Sequence, residues 1–240
     1  MKLNVTDADV QQEACWALRN LSHDNSENRT RIGKMGGIEA VLSAMKRHEN
    51  HADVQEYACR GFINLSINDS ENMSRIGQVG GIEAVVSAMK RHENHADVQE
   101  SACRALNNLS ANDANKSRIA QAGGIGAFVS AMKRHENHAG VQEYACRALC
   151  ILSANDANKS RIGQAGGIEA VVSAMKRHEN HAGVQERACL VFYFISVNAE
   201  CKRRAIDAGA IAAIEVARRN HPNNDKVQLE AADALDRLRS

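Results

Sequence analysis

The apolar residues of this chain follow a helical pattern that returns about every 43 residues. From Ile38, apolar positions recur at the i, i+3, i+4, i+7 spacing of one helix face: Ile38, Val41, Leu42 and Met45. A longer segment, about Asp53 to Ser66, places a second set on its inner face: Val54, Ala58, Phe62 and Leu65. These patterns predict amphipathic helices that bury one side each.

Short identical segments mark the same period. The tripeptide Gly-Gly-Ile begins at Gly36, Gly80, Gly123 and Gly166, and Gly-Ala-Ile begins at Gly209, so the spacings are 44, 43, 43 and 43. The segment KRHENHA begins at Lys46, Lys90, Lys133 and Lys176. Periods of this length are typical of solenoids in which every repeat contributes two or three helices.

Each repeat is predicted to contain three helices. The first is short, as in Asn115 to Ala122 with Asp113 as its N-cap, and the glycine pair then supplies a turn with positive φ. The second helix starts at the isoleucine, and the third follows the polar HENHA connection. The chain therefore opens on an unpaired third helix, about Asp9 to Ser22, and closes on a more polar one, Val227 to Ser240. We expect one domain, 1–240, made of a half repeat (1–24) and full repeats near 25–67, 68–111, 112–154, 155–197 and 198–240.

These units resemble armadillo repeats. The resemblance lies in the helix-breaking Gly36-Gly37, the second-helix segment GGIEAVLSAM, and the third-helix segment ACWALRNLS at Ala14 to Ser22. It implies an all-α, right-handed superhelix whose third helices line a concave groove that binds an extended peptide. In that family an Asn of the third helix holds the peptide backbone, and a Trp four residues earlier walls a side-chain pocket.

The family pattern selects candidate peptide-binding residues. Trp16 and Asn20 match it fully, and Asn64 and Asn108 match the Asn position in the next two repeats, whereas Ile151, Phe194 and Arg237 replace it later. The Trp position holds arginine in three repeats, with tyrosines nearby: Arg60, Arg104 and Arg147, flanked by Tyr57 and Tyr144. Because guanidinium groups pair with carboxylates and phosphates, we expect an acidic or phosphorylated peptide.

Two alternatives stay open at this point. The asparagines and the residues that vary between copies could be ordinary exposed polar positions that have drifted. The chain could also be a structural module that self-assembles through its first helix, whose apolar flank is Val10, Ala14, Ala17, Leu18 and Leu21. That second interpretation predicts a homodimer.

The sequence gives little support for disulfide bonds or for a metal site. Five cysteines recur at one position per repeat, too far apart for disulfides: Cys15, Cys59, Cys103, Cys146 and Cys189. Cys150 and Cys201 lie outside this series and are expected to be the more reactive thiols. The HENH pairs lack the four ligands of a structural zinc site, so no metal and no other cofactor is expected.

Catalytic and membrane functions also find no support in the sequence. Phosphate-binding loops and nucleophile motifs are missing, so neither an enzyme nor a small-molecule substrate is predicted. With 30 basic and 29 acidic side chains the net charge is +1, which disfavours nucleic acid as a partner. The sequence shows no leader and no long apolar run, so we expect no membrane association and a cytoplasmic, or alternatively nuclear, protein.

Overall fold

The computed structural model describes Met1 and residues 4–240, and in these residues it contains sixteen α-helices and no β-strand. This confirms the all-α solenoid predicted from the repeat. The helices are α1 (Ala8–Ser22), α2 (Ser26–Lys34), α3 (Gly37–Arg47), α4 (Ala52–Ser66), α5 (Ser70–Gln78), α6 (Gly81–Arg91), α7 (Ala96–Leu109), α8 (Asp113–Gln121), α9 (Gly124–Arg134), α10 (Ala139–Leu152), α11 (Asp156–Gln164), α12 (Gly167–Arg177), α13 (Ala182–Ile195), α14 (Ala199–Asp207), α15 (Ala210–Asn220) and α16 (Asp225–Arg239).

The chain divides into two compact units, Met1–Ala127 and Phe128–Ser240. In the first unit the third helices α1, α4 and α7 pack side by side, and the first and second helices lie against them. In the second unit α10, α13 and α16 form the equivalent layer. Each unit therefore repeats the same stacking of three-helix modules.

The helix boundaries follow from short local signals. The turn between first and second helices is made by one glycine with φ between 80° and 96° in every repeat, as at Gly36 and Gly80. Only glycine adopts this left-handed conformation without strain, so the predicted turn is confirmed. The predicted cap Asp113 is wrong by one residue: Asn112 is the N-cap of α8, and its side chain accepts a hydrogen bond from the Asn115 N–H.

The inner faces predicted from the apolar pattern form the core. Ile38, Val41 and Met45 of α3 are buried, and Phe62 and Leu65 of α4 are completely enclosed. Phe128 and Phe192 are the largest enclosed side chains of the second unit. Among the described helices none combines the length and apolar character that crossing a bilayer requires.

From α4 onward, a glutamine of each third helix ties that helix to the second helix before it. The Gln55 Nε2 group donates to the Met45 carbonyl at 3.0 Å and to the His48 carbonyl at 2.9 Å. In α1 the equivalent Gln11 donates instead to the carbonyls of Met1 and Asn4. The same pair of bonds to the preceding second helix is made in the other third helices by Gln99, Gln142, Gln185 and Gln228. Because both acceptors lie where the second helix ends, the glutamine satisfies carbonyls that the helix leaves open.

A buried asparagine connects neighbouring first helices. In α5, the Asn72 Nδ2 group donates to the carbonyls of Arg29 and Leu65, each at 3.0 Å. In α8, Asn115 donates to the Met73 carbonyl at 2.9 Å. A Cβ built on Gly77 would lie 1.9 Å from the Asn115 Oδ1 atom, so this glycine provides the room that the asparagine needs.

The RHEN segments of successive repeats bind one another, an arrangement that we call the RHEN clasp. Arg91 meets Glu49 at 3.2 Å and Asn50 at 2.9 Å, while the His92 Nε2 atom lies 2.7 Å from the Glu49 carbonyl. In the second unit Arg177 and His178 contact residues 136 and 137 in the same way. The loop therefore offers donors to one neighbour and acceptors to the other.

Candidate functional site

The third-helix face of the first unit carries seven of the nine candidate peptide-binding residues. Trp16 and Asn20 lie on α1, Tyr57, Arg60 and Asn64 on α4, and Arg104 and Asn108 on α7. The indole of Trp16 is 45% exposed although it is a large apolar group. Tyr144 and Arg147 lie on α10, and we describe them with the second unit.

Arg60 stands at the centre of this face with several partners. Its Nη2 atom forms an ion pair of 2.8 Å with Glu56, its Nε donates to the Ser101 hydroxyl at 3.3 Å, and its guanidinium carbon lies 5.8 Å from the Tyr57 ring centroid. Burial raises the pKa of Glu56, and the nearby Arg60 partly opposes this shift. The arginine is thus held in place, with only part of its positive charge available to a ligand.

The three asparagines of this face do not share one environment. Asn64 is buried, and its Nδ2 group donates to the Arg19 carbonyl of α1 at 2.8 Å. Asn20 is exposed, and Asn108 is half-buried with its Oδ1 atom accepting from Asn107 at 3.3 Å. The Asn64 amide nitrogen therefore joins two helices, whereas Asn20 and Asn108 present polar atoms to solvent.

A pocket of about 380 Å³ opens on the same face. Four arginines and two carboxylates supply its charged lining: Arg19, Arg29, Arg60, Arg104, Asp24 and Glu100. The hydroxyl of Ser101 and the amide of Asn64 also border it. The excess of guanidinium groups favours an anionic ligand.

Two functional features of this face were missed in the sequence. A glutamate lies four residues before each arginine, as Glu56 does before Arg60, and this i, i+4 spacing is a visible signal for an ion pair. The second feature is Arg29, which belongs to the first helix α2 and yet reaches the pocket. No sequence pattern indicates its location, because it depends on how α2 packs against α1.

The second unit presents a different third-helix face. Tyr144 is half-buried and Arg147 exposed on α10. Further along, Arg237 stacks on the Tyr193 ring, with its guanidinium carbon 4.1 Å from the centroid, and donates to the tyrosine hydroxyl at 3.0 Å. Arg237 stands at the third-helix position that asparagine holds in the first unit. Its guanidinium group is engaged by Tyr193 of the same protein.

The cysteines and histidines serve the fold. All seven cysteines are buried thiols, and burial raises the pKa of Cys150 to about 12 and also raises that of Cys201. Both thiols are therefore protected, but they are 8% and 4% exposed where the five cysteines of the series are fully enclosed, so their greater relative reactivity stays a prediction. Within the described residues no group of three or more potential ligands could hold a metal ion. His92 instead contacts the backbone of the previous repeat, and His181 accepts a hydrogen bond from the Val184 N–H at the start of α13.

The stacked three-helix modules, with glycine turns and an exposed third-helix face, define an armadillo-repeat protein. The family model described as LRRK2 ARM repeat matches residues 1–163 and again 69–238, so the chain belongs to this family. No curated protein matches the sequence. Armadillo repeats act as scaffolds for protein interactions, and this is the general role that the family supports.

Several solved structures share the fold. Two engineered proteins, both 25% identical to this chain, align with a TM-score of 0.84 and cover 97% and 99% of it and 93% of their own chains. A structure from work on a phosphorylation switch in the cadherin–β-catenin interaction aligns at a TM-score of 0.60 with 17% identity. It covers 97% of this chain, which spans 52% of that one, and at this identity it shows the fold alone.

Proposed function

We propose that the chain is a protein-interaction scaffold that binds an extended acidic peptide on the third-helix face of its first unit. The observation that carries this proposal is the pocket between α1, α4 and α7, whose lining has four guanidinium groups against two carboxylates. Such a site attracts carboxylates more strongly than neutral or basic chains. The armadillo family provides the general class of partner, which is another protein.

In this proposal the residues of the third-helix face bind different parts of the peptide. Arg60 and Arg104 pair with acidic side chains of the peptide, and the glutamate beside Arg60 keeps it oriented rather than fully neutralised. Asn20 and Asn108 bond the peptide backbone, because a primary amide can donate and accept at once. Trp16 and Tyr57 wall the side-chain pockets. Asn64 supports the site by holding α1 against α4.

The second unit contributes a similar but weaker surface in this proposal. Tyr144 and Arg147 repeat the tyrosine–arginine spacing of Tyr57 and Arg60 on one helix face. The asparagine that would bond a backbone is replaced by Ile151 on the same helix. We therefore place the strongest binding on the first unit.

Trp16 makes the proposal directly measurable. It is the single tryptophan of the chain, and it lies half-exposed on the proposed surface, so a bound peptide should change its fluorescence. The probe is a glutamate-rich peptide of about ten residues, enough to cross three helices spaced about 9 Å apart. Affinity should weaken with added salt, since exposed charges are screened.

Substitutions on this face should weaken binding according to the strength of the interaction that each one removes. Arg104→Ala should reduce affinity by about tenfold to a hundredfold, and Asn108→Ala by about two- to tenfold. Arg203→Ala is the matched control, because Arg203 is an exposed arginine on α14 in the other unit. If Arg104→Ala and Asn108→Ala both bind the peptide as the unmodified protein does, the ligand lies elsewhere.

A second candidate function is self-association through α1, the N-terminal helix, together with the end of α2. Leu21 at the end of α1 is 57% exposed and Met35 after α2 is 69% exposed, which is unusual for large apolar side chains. The charged substitution Leu18→Asp, one helical turn before Leu21, should shift a dimer towards monomer. Light scattering over a range of protein concentrations tests this, and a protein that remains monomeric at the highest concentration removes the candidate.

A further inference from the structure

Arg29 is a buried cation for which the described residues provide no carboxylate partner. Its side chain lies on α2 with only 9% of the residue exposed. Its Nη1 atom donates to the Ser22 carbonyl at the end of α1, at 3.2 Å, and this is the one hydrogen bond that its guanidinium group makes to the described residues. The partial negative charge of a helix C-terminus compensates about half an elementary charge. The rest of the guanidinium charge borders the pocket.

Two of the other repeats show how a cation at this position is neutralised. Lys116 pairs with Asp113 at 2.7 Å, and the buried Lys159 pairs with Asp156 at 2.5 Å, each three residues earlier on the same helix. The equivalent residue in α5 is the uncharged Met73. Three residues before Arg29 stands Ser26, which carries no charge. This repeat thus keeps the cation and omits the anion. In α14 Lys202 likewise follows the uncharged Ala199, but Lys202 is only half-buried whereas Arg29 is buried.

The charges around Arg29 do not supply the missing partner. Of the acidic residues that line the pocket, Asp24 is 91% exposed at its side chain and lies 3.2 Å from the His23 ring, and Glu100 belongs to α7. In the described part of the chain no ion pair is formed by Arg29, and Asp24 is paired with His23 instead. Arg19 and Arg60 bring two further guanidinium groups to the same pocket from α1 and α4. A buried cation among other cations is stabilised when an anion occupies the space between them.

We propose that this pocket binds the phosphoryl group of a phosphorylated serine or threonine in a protein partner. A phosphate monoester carries a charge of about −1.5 to −2 near neutral pH and has three acceptor oxygens, so it can bond guanidinium groups that approach from several helices. A carboxylate has two oxygens and one charge and would leave part of this lining unpaired. The inference rests on the proposed function, since it names the modification that the third-helix face recognises, but it depends on a different residue.

The test uses the full chain and three blocked single-residue probes: N-acetyl-O-phosphoserine amide, N-acetyl-glutamate amide and N-acetyl-serine amide. Calorimetry should show the phosphorylated probe binding at least tenfold more tightly than the glutamate probe, and the serine probe not binding. Inorganic phosphate is measured beside them, and it should bind more weakly than the phosphoserine probe if the site recognises a modified side chain. Binding of inorganic phosphate that equals or exceeds that of the phosphoserine probe contradicts a phosphoserine site.

Three variants identify the site. Arg29→Met places in this repeat the side chain that α5 already holds at this position, and it should weaken the phosphorylated probe by about tenfold to a hundredfold. Ser26→Asp supplies the intramolecular partner seen beside Lys116 and Lys159, and it should weaken binding at least tenfold while the arginine stays in place. Lys116→Met, at the equivalent position in α8, is the control and should bind as the unmodified protein does.

The outcome separates this inference from the proposed function. If Arg29→Met and Ser26→Asp both remain folded by circular dichroism and bind the phosphorylated probe unchanged, the inference is wrong. The glutamate-rich peptide can still bind through Arg104 and Asn108 in that case. If Arg29→Met fails to fold, the Ser26→Asp result decides, because an acidic residue in the first turn of a helix is favourable.

Discussion

Exchanging Gln55 for glutamate tests the bonds that join third and second helices. The two side chains have nearly the same size, so Gln55→Glu replaces only the donor group by an oxygen. Gln55 is 2% exposed, and its two acceptors differ: the His48 carbonyl also accepts from the His51 N–H, whereas the Met45 carbonyl has no other partner in the described chain. The exchange therefore leaves one buried carbonyl unbonded and sets a carboxylate against two carbonyl oxygens.

The magnitude follows from these contacts. An unbonded buried carbonyl costs roughly 1–3 kcal/mol, and an uncompensated buried charge costs about 3–5 kcal/mol. The introduced carboxyl lies in a poorly hydrated site next to acceptors, so its folded-state pKa is raised above the value of about 4.3 in the unfolded chain. Its pH-dependent penalty is therefore absent below that unfolded value, grows as the pH rises from there to the folded-state pKa, and is complete above the folded-state pKa. We expect a loss of about 1–2 kcal/mol near pH 5 and about 3–5 kcal/mol near pH 7.5.

The assay is urea unfolding followed by far-UV circular dichroism at both pH values, each compared with the unmodified protein at that pH. The matched control is Gln228→Glu, because Gln228 bonds the Arg218 and His221 carbonyls at 2.8 and 3.0 Å but is half-exposed. Water can solvate the groups there, so the control should lose less than about 1 kcal/mol. A cost for Gln55→Glu that is independent of pH, or equal to that of the control, refutes the reasoning.

Two further predictions concern the packing of the repeats. Gly77→Ala should destabilise the protein by about 1–3 kcal/mol, because the new methyl group collides with Asn115, whereas Gly126→Ala should stabilise it by about 0.5–1 kcal/mol, because nothing lies within 4 Å of its Cβ and alanine favours helix. Urea unfolding measures both, and two changes of the same sign would contradict the proposed packing. The buried thiols, including Cys150 with its pKa of about 12, should resist alkylation near pH 8 in the native protein and react in denaturant. Rapid native labelling at Cys150, read by mass spectrometry, would show that its helix opens.

Much of the fold could be predicted because each repeat carries its own local signals. The glycine turn at Gly36 and the apolar face of α4 placed the elements to within two residues, as the observed Ala52–Ser66 against the predicted Asp53 to Ser66 shows. The candidate site was harder to predict, since its chemistry depends on contacts between helices. Nothing local indicates that Asn64 turns its amide nitrogen towards α1, or that Arg29 is buried without a carboxylate. The Glu56–Arg60 pair was readable from its spacing.

Because the RHEN loops have the same sequence, any two of these repeats can form the clasp with each other. Each loop carries the donor groups for the repeat before it and the acceptor groups for the repeat after it. If one repeat were duplicated or lost, the loops on either side would therefore still form the same contacts. The last repeat breaks this rule: His221 still reaches the Glu179 carbonyl, but Asn220 replaces the clasping arginine and Pro222 replaces the glutamate. Its loop therefore lacks the carboxylate that pairs with an arginine in the clasps at Arg91 and Arg177.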